Sequence, residues 1–120
     1  MEIKTHLFNG SKIAEIISDR IVIASAEEGL DVLGNVYYQG FDSLVLHQQN
    51  ITPDFFDLKT QMAGEILQKF SNYRVRLAIV GDFTQVDSQS LRDFIFESNK
   101  TGLVNFVNST QQALEILSSC

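Results

Sequence analysis

The sequence predicts a single α/β domain, residues 1–120, with helices packed on a mixed, mostly parallel five-stranded sheet. Two observations carry this prediction. Asn9-Gly10 stands between two alternating runs, 2–8 and 12–17, and this dipeptide is the strongest short signal of a β-hairpin. After the hairpin, apolar strand-like runs alternate with helical patterns. The resulting order, ββαβαβαβα, requires parallel strands joined by right-handed crossovers.

The first crossover helix is predicted over residues 26–38. Ser25 and Glu28 have the spacing of a capping box, in which two side chains satisfy free amides at a helix start. The apolar pattern of this helix predicts four buried side chains: Leu30, Leu33, Val36 and Tyr37. Gly29 and Gly34 weaken the helix by about 1 kcal/mol each relative to alanine. Close packing and simple tolerance are both open explanations of the two glycines, and tolerance is the one we favour from sequence.

The second crossover contains a lysine in an unexpected place. "SLVLH", residues 43–47, has the continuous apolar character of a buried strand. A long helix is predicted after it, with Thr52 as N-cap and Pro53 in the first helical position. On this helix Lys59 falls within an apolar face. That face consists of Phe55, Leu58, Met62, Ala63, Ile66, Leu67 and Phe70.

Three explanations of Lys59 stay open. Its stem covers apolar surface while the ammonium reaches water, or it forms a structural ion pair with Asp82, Asp57 or another carboxylate. In the third, the ammonium enters a functional pocket and meets an anionic ligand. An anion is expected nearby in the last two cases, because a buried lysine without a partner is costly. We predict that Lys59 pairs with a carboxylate, with Asp82 as the first choice.

The rest of the chain completes the alternation. The strand over 77–80 is fully apolar and is expected inside the sheet, away from its edges. A helix follows over 87–100, then a strand over 103–107 and a last helix over 108–117. Gly102 ends the first of these helices, and Ser109 with Gln112 forms a second capping box at the start of the other.

Phe96 lies off the apolar face of the helix over 87–100. It either packs on a neighbouring helix or belongs to a partner-binding surface. We expect Phe96 to be covered in a two-fold homodimer, the commonest closed assembly.

Composition and charge limit the class of function. The net charge of -6 repels phosphate backbones and anionic lipid, so neither nucleic acid nor a membrane surface is an expected partner. The single cysteine, Cys120, allows no internal disulfide, and the acidic N-terminus is unlike a signal peptide. We therefore expect a cytoplasmic protein whose partner is another protein or a small ligand.

The carboxyl edge of the sheet is the expected site, because ligands of parallel sheets bind where the strands end. His47, Thr52 and Asp82 belong there, with Lys59 close behind. An enzyme would use His47, Lys59 and Asp82 for acid–base and anion-stabilising roles, and a ligand would contact Thr52, Lys59 and Asp82. A hydrogen-bonded packing role is the commoner one for a strand-end histidine such as His47. Neither a metal-ligand spacing nor a glycine-rich phosphate loop is present, so no metal or cofactor is expected.

Two resemblances extend this interpretation. "FFDLKTQMAGEILQKFSNYRVRLAIVGDF", followed by "SLRDFIFESNK", resembles a bacterial family known as domain of unknown function 4180, over nearly the whole chain. This resemblance implies no activity. The element order and "RLAIVGD" also resemble sulfate-transporter and anti-sigma-factor-antagonist (STAS) domains, which implies a STAS-like fold and a regulatory role.

The phosphorylation switch of STAS domains does not transfer to this sequence. Those domains carry a phosphorylatable serine at the start of the helix after the third strand, where Thr52 is here the only hydroxyl. Asp54 and Asp57 follow it, and a phosphate beside two carboxylates is unfavourable. We therefore expect a small binding or protein-interaction module, with an enzyme or an anionic-ligand-binding protein as the alternative.

Overall fold

Five strands and four helices alternate along residues 2–118, which the computed structural model describes. The strands are β1 (Glu2–Phe8), β2 (Ser11–Ile17), β3 (Ser43–His47), β4 (Arg76–Val80) and β5 (Val104–Val107). The helices are α1 (Ala26–Tyr38), α2 (Met62–Tyr73), α3 (Gln89–Thr101) and α4 (Thr110–Ser118). This order confirms the predicted α/β class. Cys120 lies outside the described residues.

The sheet has the strand order β1-β2-β3-β4-β5. Asn9 and Gly10 both have positive φ and join β1 to β2 as an antiparallel hairpin, as predicted. The pairs from β2 to β5 are parallel. The strand over 77–80 lies in β4, between β3 and β5, so its predicted place away from the edge is confirmed.

Three helices share one face of the sheet. Each crossover moves one strand in the same direction, so the right-handed rule places α1, α2 and α3 on the same side. Their buried side chains form the larger core with alternate residues of the strands. From the helices this core takes Val32, Leu33, Val36, Met62, Ala63, Ile66 and Phe70, with Phe94 and Ile95 partly buried at its margin.

The opposite face is covered by α4, which has nine residues. Ala113, Leu114 and Leu117 of α4 pack there on Ile13 and Val45 in a second, smaller core. A helix of this length is about 13 Å long, so β1 and the carboxyl ends of β2 and β3 lie partly outside its cover. None of the helices within residues 2–118 combines the length and the apolar character that crossing a membrane requires.

The helix ends agree with the predicted capping, whereas the burial of α1 differs. Ser25 Oγ accepts the backbone N–H of Glu28, and Ser109 Oγ accepts that of Gln112. Leu33 and Val36 are buried as predicted. The predicted burial of Leu30 and Tyr37 is wrong: both are exposed, because α2 contacts α1 along the side that carries Gly29.

The predicted long helix from Pro53 is wrong in its first part. Thr52 is an N-cap, as predicted, but the chain forms two 3₁₀ turns, Pro53–Phe56 and Leu58–Thr60, before α2 begins at Met62. The Asp57 carboxylate accepts the backbone N–H of Lys59 and so competes with the helical hydrogen bond. Lys59 therefore lies on a turn and is exposed, not within a buried helix face.

Candidate functional site

Thr52 and Asp82, two of the residues predicted at the carboxyl edge, are engaged within their own turns. Thr52 Oγ1 accepts the backbone N–H of Asp54 at 3.4 Å. Lys59 is exposed, and so is Asp82, whose Oδ1 accepts the hydroxyl of Thr84 at 2.6 Å and its backbone N–H at 3.1 Å. These two bonds, the hydroxyl first, hold the pKa of Asp82 below its ordinary value. Asp82 is therefore an ionised turn residue.

The predicted pair between Lys59 and Asp82 is not formed. Within residues 2–118, the close ion pairs join Glu15 to His6 and to His47. On its 3₁₀ turn the lysine faces water, so no apolar surface forces its ammonium toward a carboxylate. His47, Lys59 and Asp82 share no hydrogen-bond network in this part of the chain, and their catalytic and ligand-binding roles stay predictions.

A buried carboxylate bridges two histidines on the face of the sheet that α4 covers only in part. Glu15 is 6% exposed. Its Oε1 lies 2.8 Å from Nε2 of His6, and its Oε2 lies 2.7 Å from Nε2 of His47. The three side chains come from neighbouring strands, β1, β2 and β3. Of these three residues, only His47 was predicted at a site from sequence, and it was not connected with Glu15 or His6.

Strand register brings these three residues together. In the hairpin, His6 lies opposite Ile13, so it is a diagonal neighbour of Glu15 on the same face. In the parallel pair Glu15 lies beside Val45, and His47 lies two residues further along β3 on that face. The first of these relationships follows from the Asn9-Gly10 turn alone, so the sequence contained a signal for half of the cluster.

The hydrogen bonds keep Glu15 ionised. Burial is the largest influence and raises its pKa, but the hydrogen bonds and charges of His47 and His6 together outweigh it and lower the pKa below its ordinary value. An ionised carboxylate can only accept, so each Nε2 must carry the donated proton. The arrangement fixes the orientation of both rings, as carboxylates do for functional histidines in other proteins.

The cluster is not arranged as a metal site. Both Nε2 atoms are directed to the carboxylate, and no group of three or more His, Cys, Asp or Glu in the described part of the chain could hold a metal ion. The cluster links three neighbouring strands at the open part of this face.

A cavity opens at the carboxyl ends of β3 and β4. It has a volume of about 230 Å³ and lies between the segment from Gln48 to Phe56, the loop after β4 and the start of α3. Its wall is apolar except for the side chain of Gln48. The apolar lining residues are Ile51, Pro53, Phe56, Phe83, Val86 and Leu91.

Three exposed tyrosines meet at the opposite edge, where α1 and α2 end. Tyr38 is 87% exposed, Tyr73 49% and Tyr37 45%. The ring centroids of Tyr37 and Tyr73 are 5.0 Å apart, and those of Tyr37 and Tyr38 are 5.6 Å apart. We refer to these three residues as the tyrosine surface. They form a continuous aromatic surface that faces solvent.

Cations lie beside the tyrosine surface although the chain is acidic. Lys69 precedes Tyr73 by one helical turn, and Arg74 follows it directly. The ammonium of Lys12 donates to the carbonyl of Gln39, next to Tyr38. The nearest acidic residues along the chain are Asp31, two turns earlier on α1, and Asp42, whose carboxylate already accepts the backbone N–H of Lys12.

Phe96 lies outside the core, as its position off the helix face predicted. It is 65% exposed on α3. The ammonium of Lys100 lies 5.9 Å from the centre of its ring, at the outer limit of a cation–π contact. Phe96 therefore does not pack on a neighbouring helix. Its role in binding a partner stays a prediction.

The model of the family described as Domain of unknown function (DUF4180) matches residues 8–117. The chain belongs to this family. The match in this DUF4180 family begins at Phe8, so it includes Glu15 and His47, the cavity and the tyrosine surface, and leaves His6 outside. Neither a curated protein nor a solved structure matches the chain. The family assigns no activity, and a function must be argued from the residues themselves.

Proposed function

We propose that this domain is a protein-interaction module that binds an acidic, partly apolar segment of a partner protein on the tyrosine surface. The observation that carries the proposal is the exposure of Tyr38, 87%, at the margin of three tyrosines in ring contact. Tyrosine is enriched among the residues that dominate binding energy at protein interfaces. A rigid aromatic surface loses little conformational entropy when a partner covers it.

Charge selects the partner. Lys69 and Arg74 are near Tyr73 along the chain, and Lys12 donates to Gln39 next to Tyr38, so in a chain of net charge -6 this surface favours carboxylates where most of the molecule repels them. Arginine and lysine also attract such segments during encounter, which raises the association rate at low salt. Apolar side chains of the segment would cover the rings.

The enzyme alternative has less support. Acid–base catalysis requires groups within hydrogen-bond reach of one reacting centre. Asp82 is occupied by Thr84, Lys59 lies on an exposed turn, and His47 is directed to Glu15. The proposal also includes expectations from sequence: that the domain is bacterial and cytoplasmic, and that it has a STAS-like fold and a regulatory role. The STAS-like expectation is based on the order of strands and helices.

A peptide array tests the proposal. Labelled domain is applied to short peptides in which acidic and apolar positions are varied independently. We expect binding to peptides that combine several carboxylates with Leu or Phe, and loss of that binding at high salt. Tyr38→Ala should weaken binding by about tenfold or more, as truncation of an interface tyrosine does. Arg74→Glu should weaken binding to the acidic peptides selectively.

Ile21→Ala is the control, because Ile21 is 50% exposed and follows β2 at the opposite edge of the sheet. It should leave peptide binding unchanged. The proposal is wrong if neutral or basic peptides bind as well as acidic ones, or if Tyr38→Ala keeps wild-type binding. A wild-type dimer that Tyr38→Ala dissociates would identify a second copy of the chain as the occupant and would also overturn the acidic-segment proposal.

A further inference from the structure

The cavity at the carboxyl edge contains one polar side chain that is held in place. Oε1 of Gln48 accepts the backbone N–H of Asp82 at 3.3 Å. Gly81 lets the glutamine lie against the chain, since a Cβ at that position would stand 2.7 Å from Cβ of Gln48. The amide of Gln48 is therefore fixed in orientation by β4 and the residue after it.

The amide nitrogen of Gln48 has no acceptor among residues 2–118, although its oxygen is engaged. A side-chain amide carries two N–H donors beside its carbonyl oxygen. In a wall that is otherwise apolar, such a donor gives direction to a ligand that has a hydrogen-bond acceptor. The polar part of the ligand is thus expected to accept a hydrogen bond.

The charges around the cavity disfavour an anion. Asp54, Asp82 and Asp87 each follow or precede a lining residue directly. Arg92, the nearest cation to Leu91 along the chain, has its guanidinium occupied by the carbonyls of Val86 and Asp87 and by Gln89. No carboxylate belongs to the lining itself, so a cation gains no direct partner either.

Size and shape limit the apolar part of the ligand. The volume of about 230 Å³ exceeds the roughly 150 Å³ of an engineered apolar cavity that binds benzene. One ring with a short substituent fits such a space. Phe56 and Phe83, whose ring centroids are 6.0 Å apart, supply aromatic walls.

We infer that this cavity is a binding site for a small neutral ring compound that carries a carbonyl or similar acceptor, oriented by the amide of Gln48. The site is at the opposite edge from the tyrosine surface and does not depend on the proposed protein interaction. It also differs from the anionic-ligand site expected from sequence, because Thr52, Lys59 and Asp82 are not part of its lining.

Three probes with the same ring test the chemistry: acetophenone, ethylbenzene and benzoate. Binding is followed by amide chemical shifts of the isotope-labelled full chain, including the side-chain amide of Gln48. Acetophenone should give saturable shifts at Gln48, Phe83 and Leu91. Ethylbenzene, which lacks an acceptor, should shift the backbone amides of the lining without the shift of the Gln48 side-chain amide that a bound carbonyl causes. Benzoate should bind at least about tenfold more weakly because of the surrounding aspartates.

Two variants test the location. Val86→Trp should fill the cavity and abolish the acetophenone shifts, whereas Gln85→Trp, at an exposed neighbouring position outside the lining, should leave them unchanged. Gln48→Met should weaken acetophenone binding by about threefold or more, as expected for one lost hydrogen bond, and leave ethylbenzene binding nearly unchanged. The inference is overturned if acetophenone gives no saturable shifts, if benzoate binds as tightly, or if Val86→Trp binds acetophenone like the wild type. Each variant is first checked for a wild-type pattern of core amide shifts.

Discussion

A Cβ atom on Gly29 would lie 2.8 Å from Cδ1 of Ile66, so α1 and α2 approach each other where α1 has no side chain. Ile66 is fully buried, and its Cγ1 would be only 3.0 Å from the same Cβ. Close packing therefore explains Gly29, and the tolerance favoured from sequence is wrong for this residue. Gly34 differs, because a Cβ there would meet nothing within 4 Å.

We predict that substitution by alanine has opposite effects on stability at the two glycines. Gly34→Ala should raise the free energy of unfolding by about 0.5–1 kcal/mol, the helix-propensity gain of alanine over glycine. Gly29→Ala has the same gain, but it must also displace Ile66 in a packed core, where overpacking costs about 1–3 kcal/mol. We expect a net loss of stability for Gly29→Ala in urea unfolding. Equal stabilisation by both variants would contradict the close packing of α1 on α2.

Sequence alone could not distinguish these glycines, because both lie in one helix and only the position of α2 separates them. The same limit explains the error at Leu30 and Tyr37, since periodicity predicts an apolar face but not how much of it a neighbour covers. The hairpin and the capping serines depend on local chemistry, and the parallel strands follow from the order of strands and helices; these features were predicted correctly. The predicted start of α2 was wrong because the Asp57 carboxylate accepts a backbone hydrogen bond that competes with the helical one.

Lys59→Met and Asp82→Asn should have small and independent effects. Both side chains are exposed and form no ion pair with each other, and surface substitutions of this kind usually change stability by less than about 0.5 kcal/mol. The double variant should equal the sum of the single variants within about 0.5 kcal/mol. Urea unfolding of the four proteins measures this. A coupling energy above about 1 kcal/mol would show that the two charges do interact in solution.

Glu15 should make part of the stability dependent on acid pH. Its pKa in the folded chain lies below the ordinary value of 4.5, although burial, the largest influence, acts to raise it, because hydrogen bonds from His47 and His6 outweigh burial. Folding therefore favours the ionised form. The resulting stabilisation is fully present above about pH 4.5 and is lost as pH falls through the lowered pKa.

Comparison with Glu15→Gln isolates this contribution, since glutamine keeps the shape and removes the titrating group. The difference in unfolding free energy between wild type and Glu15→Gln should be larger at pH 5 than at pH 3. Glu97→Gln, on the exposed surface of α3, is the control and should show a smaller change over the same interval. A difference that grows toward pH 3 would have the wrong sign for an ionised carboxylate held by two histidines.

The cluster around Glu15 shows why the candidate site was largely hidden in the sequence. In "KIAEII" the glutamate reads as an ordinary polar residue of an alternating strand, and His6 and His47 are 41 positions apart. The β2–β3 register that unites Glu15 with His47 is set by a crossover containing α1, so no local pattern records it. The cavity was equally hidden, since its wall comes from three separate segments.

The exposure of Phe96 leads us to predict a two-fold dimer that forms through α3. It is 65% exposed, with Asp93 one turn before it and Lys100 one turn after it. In an antiparallel arrangement of two α3 helices whose two-fold axis passes between Phe96 and Glu97, Lys100 of one copy lies level with Asp93 of the other, so one surface complements itself, as an isologous contact requires. We expect a dimer in sedimentation at micromolar concentration.

Substitutions distinguish this dimer from association through another surface. Phe96→Ser should give a monomer, because it removes the apolar centre of the contact, and Lys100→Glu should weaken the dimer by placing two like charges opposite each other. Tyr38→Ser is the control: it removes an even more exposed aromatic side chain and should leave the dimer intact. A wild-type monomer whose sedimentation is independent of concentration would rule out a stable dimer and leave Phe96 without an interface role. A dimer that persists in Phe96→Ser but dissociates in Tyr38→Ser would place the contact on the tyrosine surface.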